Sequence, residues 1–230
     1  MTNPIFCAID TSDAAQAAIL IRQIAGHVHG VKLGLEFFMA QGPAGITAAR
    51  PVGMPLFLDV KLHDIPNTVA GALQSLLPLR ADFITIHTGG GPAMLRAARD
   101  TAAKAGSTRP QLLGVTVLTS MDDNDLAAVG QDRDPAAQVV RLGRLAQDSG
   151  LDGVICAPTE IAALRAACGP DFILMVPGIR PSWAATGDQK RVLTPQEAIA
   201  AGATYLVIGR PITAAPDPAQ AAARIVAELG

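Results

Sequence analysis

A chain of 230 residues has room for one domain with a large buried core and is short for two independent domains, so a single domain over 1–230 is expected. Half of the residues are hydrophobic, yet charged and turn residues interrupt every apolar run before the 18 or so positions that a membrane span needs. The net charge of −2, with scattered lysines and arginines and 3% aromatic residues, excludes a basic, base-stacking surface for nucleic acid.

Short apolar runs rich in β-forming residues recur along the chain. They lie at 4–10, 30–35, 55–62, 83–89, 112–118, 153–158, 172–179 and 205–210. Stretches rich in alanine and leucine, typical of helices, separate or follow them at 13–26, 68–79, 93–106, 135–150, 159–168, 195–202 and 218–229. Eight alternating units of this length predict an α/β fold, a single (β/α)₈ TIM barrel.

A doubly wound open sheet is the alternative fold. The turn after the first apolar run, at 10–13, reads DTSD and lacks the glycine-rich fingerprint that binds a dinucleotide pyrophosphate. A bound nicotinamide cofactor is therefore not expected.

Polar residues end many of these runs, and in a barrel such positions share one mouth, where catalytic groups gather. They are Asp10, Lys32, Asp59, Lys61, His87, Thr119, Ser120, Pro177 and Arg210. So many ionisable groups at one mouth indicate an active site, since each must be paired or solvated there. His87 has two interpretations, a general acid or a hydrogen-bonded packing residue.

The segment 59–68, DVKLHDIPNT, places two carboxylates around one lysine. Side chains two apart on a strand share a face, so Asp59 and Lys61 are predicted to project together, with Asp64 following after a turn. Opposite charges in a row can stay ionised in a partly buried site. The segment therefore predicts machinery for moving a proton, the alternative being a structural ion pair at the rim of a sheet.

The last two strands carry features suited to binding phosphate. Gly209 leaves its backbone N–H uncrowded beside the guanidinium of Arg210, and phosphate sites in barrels commonly follow strands seven and eight. An irregular stretch between Arg180 and Pro195 has the length of a functional loop, from which Arg180 and Gln189 could reach the same anion. A solvated basic loop is the alternative.

The three cysteines lack the spacing of a metal or redox motif, and two of them lie in apolar runs. The first ten residues enter a strand-like run without a basic region or cleavage site. Both observations predict a reduced, cytoplasmic setting.

Taken in order, these motifs resemble the orotidine 5′-monophosphate decarboxylase family over essentially the whole chain. The resemblance rests on DVKLHDIPNT at 59–68, the early AID and VKLG segments, VTVLTS at 115–120, VPGIRP, GDQKR and the final IGRPIT. It implies a (β/α)₈ barrel that decarboxylates orotidylate to uridylate. It also implies a homodimer with shared active sites, without metal or organic cofactor.

The resemblance further implies roles for individual residues. Lys61 would donate a proton within a tetrad completed by Lys32, Asp59 and Asp64, while Asp64, Ile65 and Thr68 would enter the partner subunit's site. Asp10 and Lys32 would hold ribose hydroxyls, and Thr119 or Ser120 would face the pyrimidine. The other substrate-binding positions are Pro177, Arg180, Gln189, Gly209 and Arg210.

Two other functions fit parts of the pattern. A related barrel decarboxylase acts on a sugar-phosphate keto acid, shares D-x-K-x-x-D and requires magnesium. A non-catalytic barrel that binds nucleotides would keep the fold without turnover.

Overall fold

The computed structural model describes residues 3–51, 53–184 and 193–229. Within them, parallel strands β1 to β8 close into a barrel in chain order, and β8 pairs with β1. The strands are β1 Ile5–Ile9, β2 Gly30–Gly34, β3 Leu56–Leu62, β4 Phe83–His87, β5 Gln111–Val115, β6 Gly153–Ile155, β7 Ile173–Val176 and β8 Tyr205–Ile208. The predicted (β/α)₈ fold is confirmed, and the open sheet is excluded because the barrel closes.

The helices of the described ranges surround the barrel. They are α1 Ala14–Ile24, α2 Leu35–Ala49, α3 Pro66–Leu76, α4 Gly91–Ala103, α5 Asp123–Ala128, α6 Pro135–Asp148, α7 Ile161–Cys168, α8 Pro195–Ala200, α9 Arg210–Thr213 and α10 Pro218–Ala227. None of them combines the length and apolar character needed to cross a lipid bilayer.

Helix α2 was not predicted, nor were the short α5 and α9. The sequence QGPAG interrupts α2, where Gly42 has φ 60° and ψ −167° and Pro43 follows it. Such residues normally end a helix. Here they separate α2 into two helical halves, which pack into the core through Phe37 before the break and Ile46 after it.

The barrel has an outer and an inner core. The outer core lies between strands and helices and includes the buried Cys7, Cys156 and Cys168. The inner core contains Phe6, Phe57, Phe83 and Tyr205, with ring centroids 5.3–6.3 Å apart in edge-to-face contacts. Each of these residues is the first or second residue of its strand, so the rings fill the amino-terminal end of the barrel and give the polar side chains nearer the carboxyl ends an apolar floor.

Candidate active site

Four charged side chains of alternating sign form a row across the mouth of the barrel. Lys32 Nζ lies 3.2 Å from Asp10 Oδ1 and 3.7 Å from Asp59 Oδ2. Lys61 Nζ lies 2.8 Å from each oxygen of Asp59. The structure therefore brings Asp10, Lys32, Asp59 and Lys61 together, as the sequence predicts.

Strand register and Gly34 help to make this row possible. In the pairing of β2 with β3, Gly34 lies opposite Asp59, and a Cβ at Gly34 would stand 3.1 Å from Lys32 Nζ. A Cβ at Gly209 would stand 3.6 Å from Asp10 Oδ2 and 3.4 Å from the Cβ of Ala8. The contact at Gly34 is tight, so a side chain there would displace the Lys32 ammonium, whereas the distances at Gly209 are ordinary van der Waals contacts.

Asp59 is the most buried carboxylate of the row, with 9% of its surface exposed. Burial by itself raises the pKa of Asp59, but the ammonium groups of Lys32 and Lys61 and hydrogen bonds from Lys61 and Thr85 outweigh burial. The pKa of Asp59 therefore lies below its usual value, and the carboxylate is charged at neutral pH. A buried anion then holds two cations in place.

The backbone at Lys61 departs from regular strand geometry. Its φ is 50°, and among the described residues only Arg80 is another non-glycine residue with positive φ. This conformation costs of order 1–3 kcal/mol and persists where surrounding contacts impose it. It bends the end of β3 while the ammonium keeps its contact with Asp59.

A cavity of about 220 Å³ opens beside the row. It is lined by Lys32, Phe57, Asp59, Lys61, Val115, Val117, Leu118, Thr119, Ile155, Cys156, Pro177 and Val207. The charged groups thus line one side of the cavity, and most of the remaining wall is apolar. An apolar wall reduces the competition of water for hydrogen bonds and strengthens electrostatic interactions in the cavity. Apart from Pro177, the apolar residues of this wall were not among the predicted site residues, because nothing in their sequence distinguishes them from core residues.

Thr119 and Pro177, two of the predicted substrate-binding residues, line the cavity. Ser120 is exposed and is not part of the lining. The geometry therefore favours Thr119 where the sequence left the two hydroxyls open.

Asp64, Ile65 and Thr68 lie apart from the row of their own chain. All three are exposed, with Ile65 at 67%. The Asp64 carboxylate accepts a hydrogen bond from the N–H of Ile65 at 2.6 Å and joins no ion pair with another described residue. Within one chain, the predicted tetrad is therefore represented by Lys32, Asp59 and Lys61.

The predicted phosphate groups follow strands β7 and β8. Arg210 begins α9 directly after Gly209 and is exposed, and Gly209 adjoins Asp10 at the edge of the row. Arg180 lies beyond β7, where its guanidinium donates a 3.0 Å hydrogen bond to the carbonyl of Ile179. Gln189 lies outside the described residues.

His87 ends β4 against a second histidine. Its ring centroid lies 5.2 Å from that of His63. Burial, then the nearby His63 and Lys61, lower the pKa of His87, although Asp59 acts in the opposite direction. Since His87 does not line the cavity, the geometry favours the packing interpretation over a general acid.

Thr85 is a residue of this site that the sequence did not reveal. Its hydroxyl donates a 3.0 Å hydrogen bond to Asp59 and is completely buried. A threonine inside a strand is ordinary by propensity, so no local signal separates it from other strand residues.

A closed parallel barrel with paired carboxylates and ammonium groups gathered at its mouth has the arrangement typical of barrel enzymes. A family model described as "Orotidine 5'-phosphate decarboxylase / HUMPS family" matches residues 3–225. The chain belongs to this family.

Individual relatives are similar over their whole length. A protein of Paramagnetospirillum magneticum named orotidine 5'-phosphate decarboxylase is 57% identical, with 100% of both chains covered. One of the same name from Rhodospirillum rubrum is 51% identical over 99% of this chain and 94% of the relative. A crystal structure of orotidine 5'-phosphate decarboxylase from Lactobacillus acidophilus superposes with a TM-score of 0.88 at 37% identity, covering 99% of each chain.

Proposed function

We propose that this chain decarboxylates orotidine 5′-monophosphate to uridine 5′-monophosphate and CO₂, a step of pyrimidine nucleotide synthesis. The observation that carries the proposal is the Lys61 ammonium, held 2.8 Å from both oxygens of Asp59 at the wall of an apolar cavity. The names of the full-length relatives support the choice of substrate.

Lys61 is the proposed proton donor. When the bond between C6 and the carboxylate breaks, the electron pair stays at C6 in an orbital orthogonal to the ring π system, so the ring cannot delocalise it. The ammonium stabilises this developing charge and then transfers its proton to C6, which leaves a neutral amine to be reprotonated from solvent. A donor already oriented by Asp59 needs little reorganisation during the step.

Asp59 has a second proposed effect on the bound substrate. Its carboxylate would face the carboxylate that leaves, and the repulsion between two anions is relieved as CO₂ departs. The low pKa of Asp59 supports this role, because a protonated Asp59 would exert no such repulsion. Lys32, 3.7 Å away, keeps Asp59 charged when no substrate is bound.

Lys61 alone does not account for the whole rate enhancement. One preorganised donor contributes about 3–4 kcal/mol, whereas enzymes lower barriers by roughly 8–23 kcal/mol. Binding energy from the nucleotide's remote parts must therefore contribute to the reaction. Asp10 and Lys32 would hold the ribose, Thr119 or Ser120 with Pro177 would contact the pyrimidine, and Arg180, Gln189, Gly209 and Arg210 would bind the phosphate.

We also propose a homodimer in which Asp64, Ile65 and Thr68 complete the site of the partner subunit. The large exposed side chains of Ile65 and of Met39, at 67% and 75%, support a contact surface around the mouth of the barrel. Asp64 lacks an ion-pair partner among the described residues of its own chain, which is consistent with a role in the partner's site. The proposed assembly is cytoplasmic and needs no metal or organic cofactor.

Orotidylate consumption, followed by its ultraviolet absorbance change with and without excess EDTA, tests this function. Wild-type protein should consume orotidylate at the same rate in both conditions. The Lys61→Ala variant should not consume orotidylate in either condition. A wild-type rate abolished by EDTA and restored by magnesium would favour the metal-dependent sugar-phosphate decarboxylase. Tight uridylate binding without CO₂ release would favour the non-catalytic binding barrel.

A further inference from the structure

The pairing of β3 with β4 is irregular where the charged row is built. Leu58 pairs with Ile84, and the next pair joins Leu62 to Ile86. Three residues of β3, namely 59–61, therefore stand opposite the single residue Thr85 of β4. The extra residues of β3 cannot all find backbone partners on β4.

The side chain of Thr85 occupies this gap and makes two hydrogen bonds. Its Oγ1 accepts a 2.9 Å hydrogen bond from the backbone N–H of Lys61. The same hydroxyl donates a 3.0 Å hydrogen bond to Asp59 Oδ1. One buried hydroxyl thus connects the backbone of the lysine to the carboxylate that holds its ammonium.

This double contact explains how Lys61 keeps a backbone conformation that a lysine rarely adopts. Its φ of 50° directs the N–H towards Thr85 in place of a strand partner. Because the hydroxyl is fully buried and its contact with the Lys61 N–H is partly buried, losing either partner leaves a polar group poorly satisfied. The contact therefore couples the backbone at Lys61 to the orientation of Asp59.

We propose that Thr85 is a positioning residue of the decarboxylase site, which orients Lys61 and Asp59 through its hydroxyl without touching the substrate. The proposal rests on the function proposed above. Thr85 is 0% exposed and does not line the cavity, so its effect must pass through the two residues it bonds. Small displacements of a catalytic group are costly, and a shift of about 1 Å can reduce the rate about 10²-fold.

Thr85→Val tests the hydroxyl at nearly constant side-chain volume, and Thr85→Ser restores it. We expect Thr85→Val to lower kcat about 10²-fold while KM and the Kd for uridylate stay near their wild-type values. Thr85→Ser should recover most of the lost kcat. If Thr85→Val does not fold, Thr85→Ala removes the same hydroxyl without adding a methyl group, and the same loss is expected.

Thr101→Val is a matched control. Thr101 is also buried, and its hydroxyl bonds the carbonyl of Ala97 at 2.9 Å on α4, away from the row. The kcat of Thr101→Val should stay near the wild-type value even if its melting temperature falls. An equal loss of kcat in Thr101→Val and Thr85→Val, or a Thr85→Ser variant as slow as Thr85→Val, would overturn the proposal.

A second readout does not depend on turnover. Acylation of lysines, mapped by mass spectrometry, should label Lys61 several times faster in Thr85→Val than in wild type, because its ammonium is held less firmly. Labelling of the exposed Lys104 should not change. A wild-type protein inactive on orotidylate would refute the proposed function alone, whereas unchanged labelling of Lys61 would refute the role of Thr85.

Discussion

Lys61 Nζ donates hydrogen bonds to both oxygens of Asp59, at 2.8 Å each. It does so although the backbone of Lys61 itself, with a φ of 50°, departs from strand geometry. On an ideal strand, the side chains of Asp59 and Lys61, two residues apart, would project in parallel from the same face. The bend at Lys61 instead brings the ammonium onto the carboxylate while leaving it at the cavity wall. The proposed donor is thus oriented before substrate binds, which is what an efficient proton transfer requires.

Replacing the proposed proton donor should remove the chemical step and preserve binding. For Lys61→Ala we expect kcat to fall at least about 10³-fold, since one group supplies both charge stabilisation and the proton. Uridylate should still bind, which calorimetry can measure. Lys104→Ala, a change at an exposed lysine on the far end of α4, is the control. Undiminished turnover by Lys61→Ala would remove Lys61 from the mechanism.

Arg210 is expected to act on the reaction through the phosphate. Arg210→Ala should lower kcat/KM for orotidylate about 10- to 100-fold, because a charge-assisted contact is lost. With orotidine, which lacks the phosphate, wild type and variant should react at similar rates. Arg22→Ala, at the exposed end of α1, controls for general loss of positive charge. An equal loss on both substrates would show that Arg210 does not act through the phosphate.

Hybrid dimers can test whether active sites are shared. Mixing Lys61→Ala with Asp64→Asn should produce dimers in which one of the two sites has both groups intact. After random reassortment of the subunits, activity should rise towards about one quarter of wild type.

A matched mixture controls for simple reassociation. Lys61→Ala mixed with Asp59→Asn should stay inactive, because Lys61 and Asp59 belong to the same subunit's site. Restoration by both mixtures, or by neither, would contradict sharing of Asp64 across the interface.

The half-buried His87 should make stability depend on pH. Its pKa is lowered in the folded protein from an ordinary value of 6.5, so the unfolded chain binds more protons between the folded pKa and 6.5. The free energy of unfolding therefore rises with pH through this window, and the stabilisation is lost below the folded pKa. His63, Lys61 and Asp59 are the charged or titratable groups that face it.

Thermal unfolding of wild type and His87→Gln measures this contribution. The Tm of wild type relative to His87→Gln should increase from about pH 5 to about pH 7.5. His27→Gln, in the turn after α1, is the control for loss of a histidine elsewhere. A difference in Tm that is constant with pH would show that His87 titrates alike in the folded and unfolded chains.

The sequence predicted all eight strands because parallel strands buried on both faces read as short, continuous apolar runs. Helix α2 escaped prediction for the opposite reason. Its local signals, Gly42 and Pro43, mark a real break, since Gly42 is not helical and separates two short helical halves. Each half is too short to give a clear helical period in the sequence, and packing of Phe37 and Ile46 into the core holds both halves against the barrel.

The residues of the site also fall into two groups, those that the sequence revealed and those that it did not. Asp59, Lys61 and Lys32 could be identified because charged residues within or at the end of apolar, strand-forming runs are rare, and those that face the interior of a barrel meet at its mouth. Thr85 and the apolar wall around Val115 and Ile155 could not, because residues of these types fill every strand of the barrel.

The sequence alone predicts the alternation of strands and helices and the closure of eight such units into a barrel. It also identifies the carboxylates and lysines that meet at the mouth of the barrel. These depend on apolar periodicity and on residue type, both local properties of the chain. The tertiary structure decided that Lys32 lies between Asp10 and Asp59, that Thr119 lines the cavity, and that Thr85 bonds Lys61. Those relationships depend on strand register and on an irregular pairing of β3 with β4, which arise only when distant segments pack against each other.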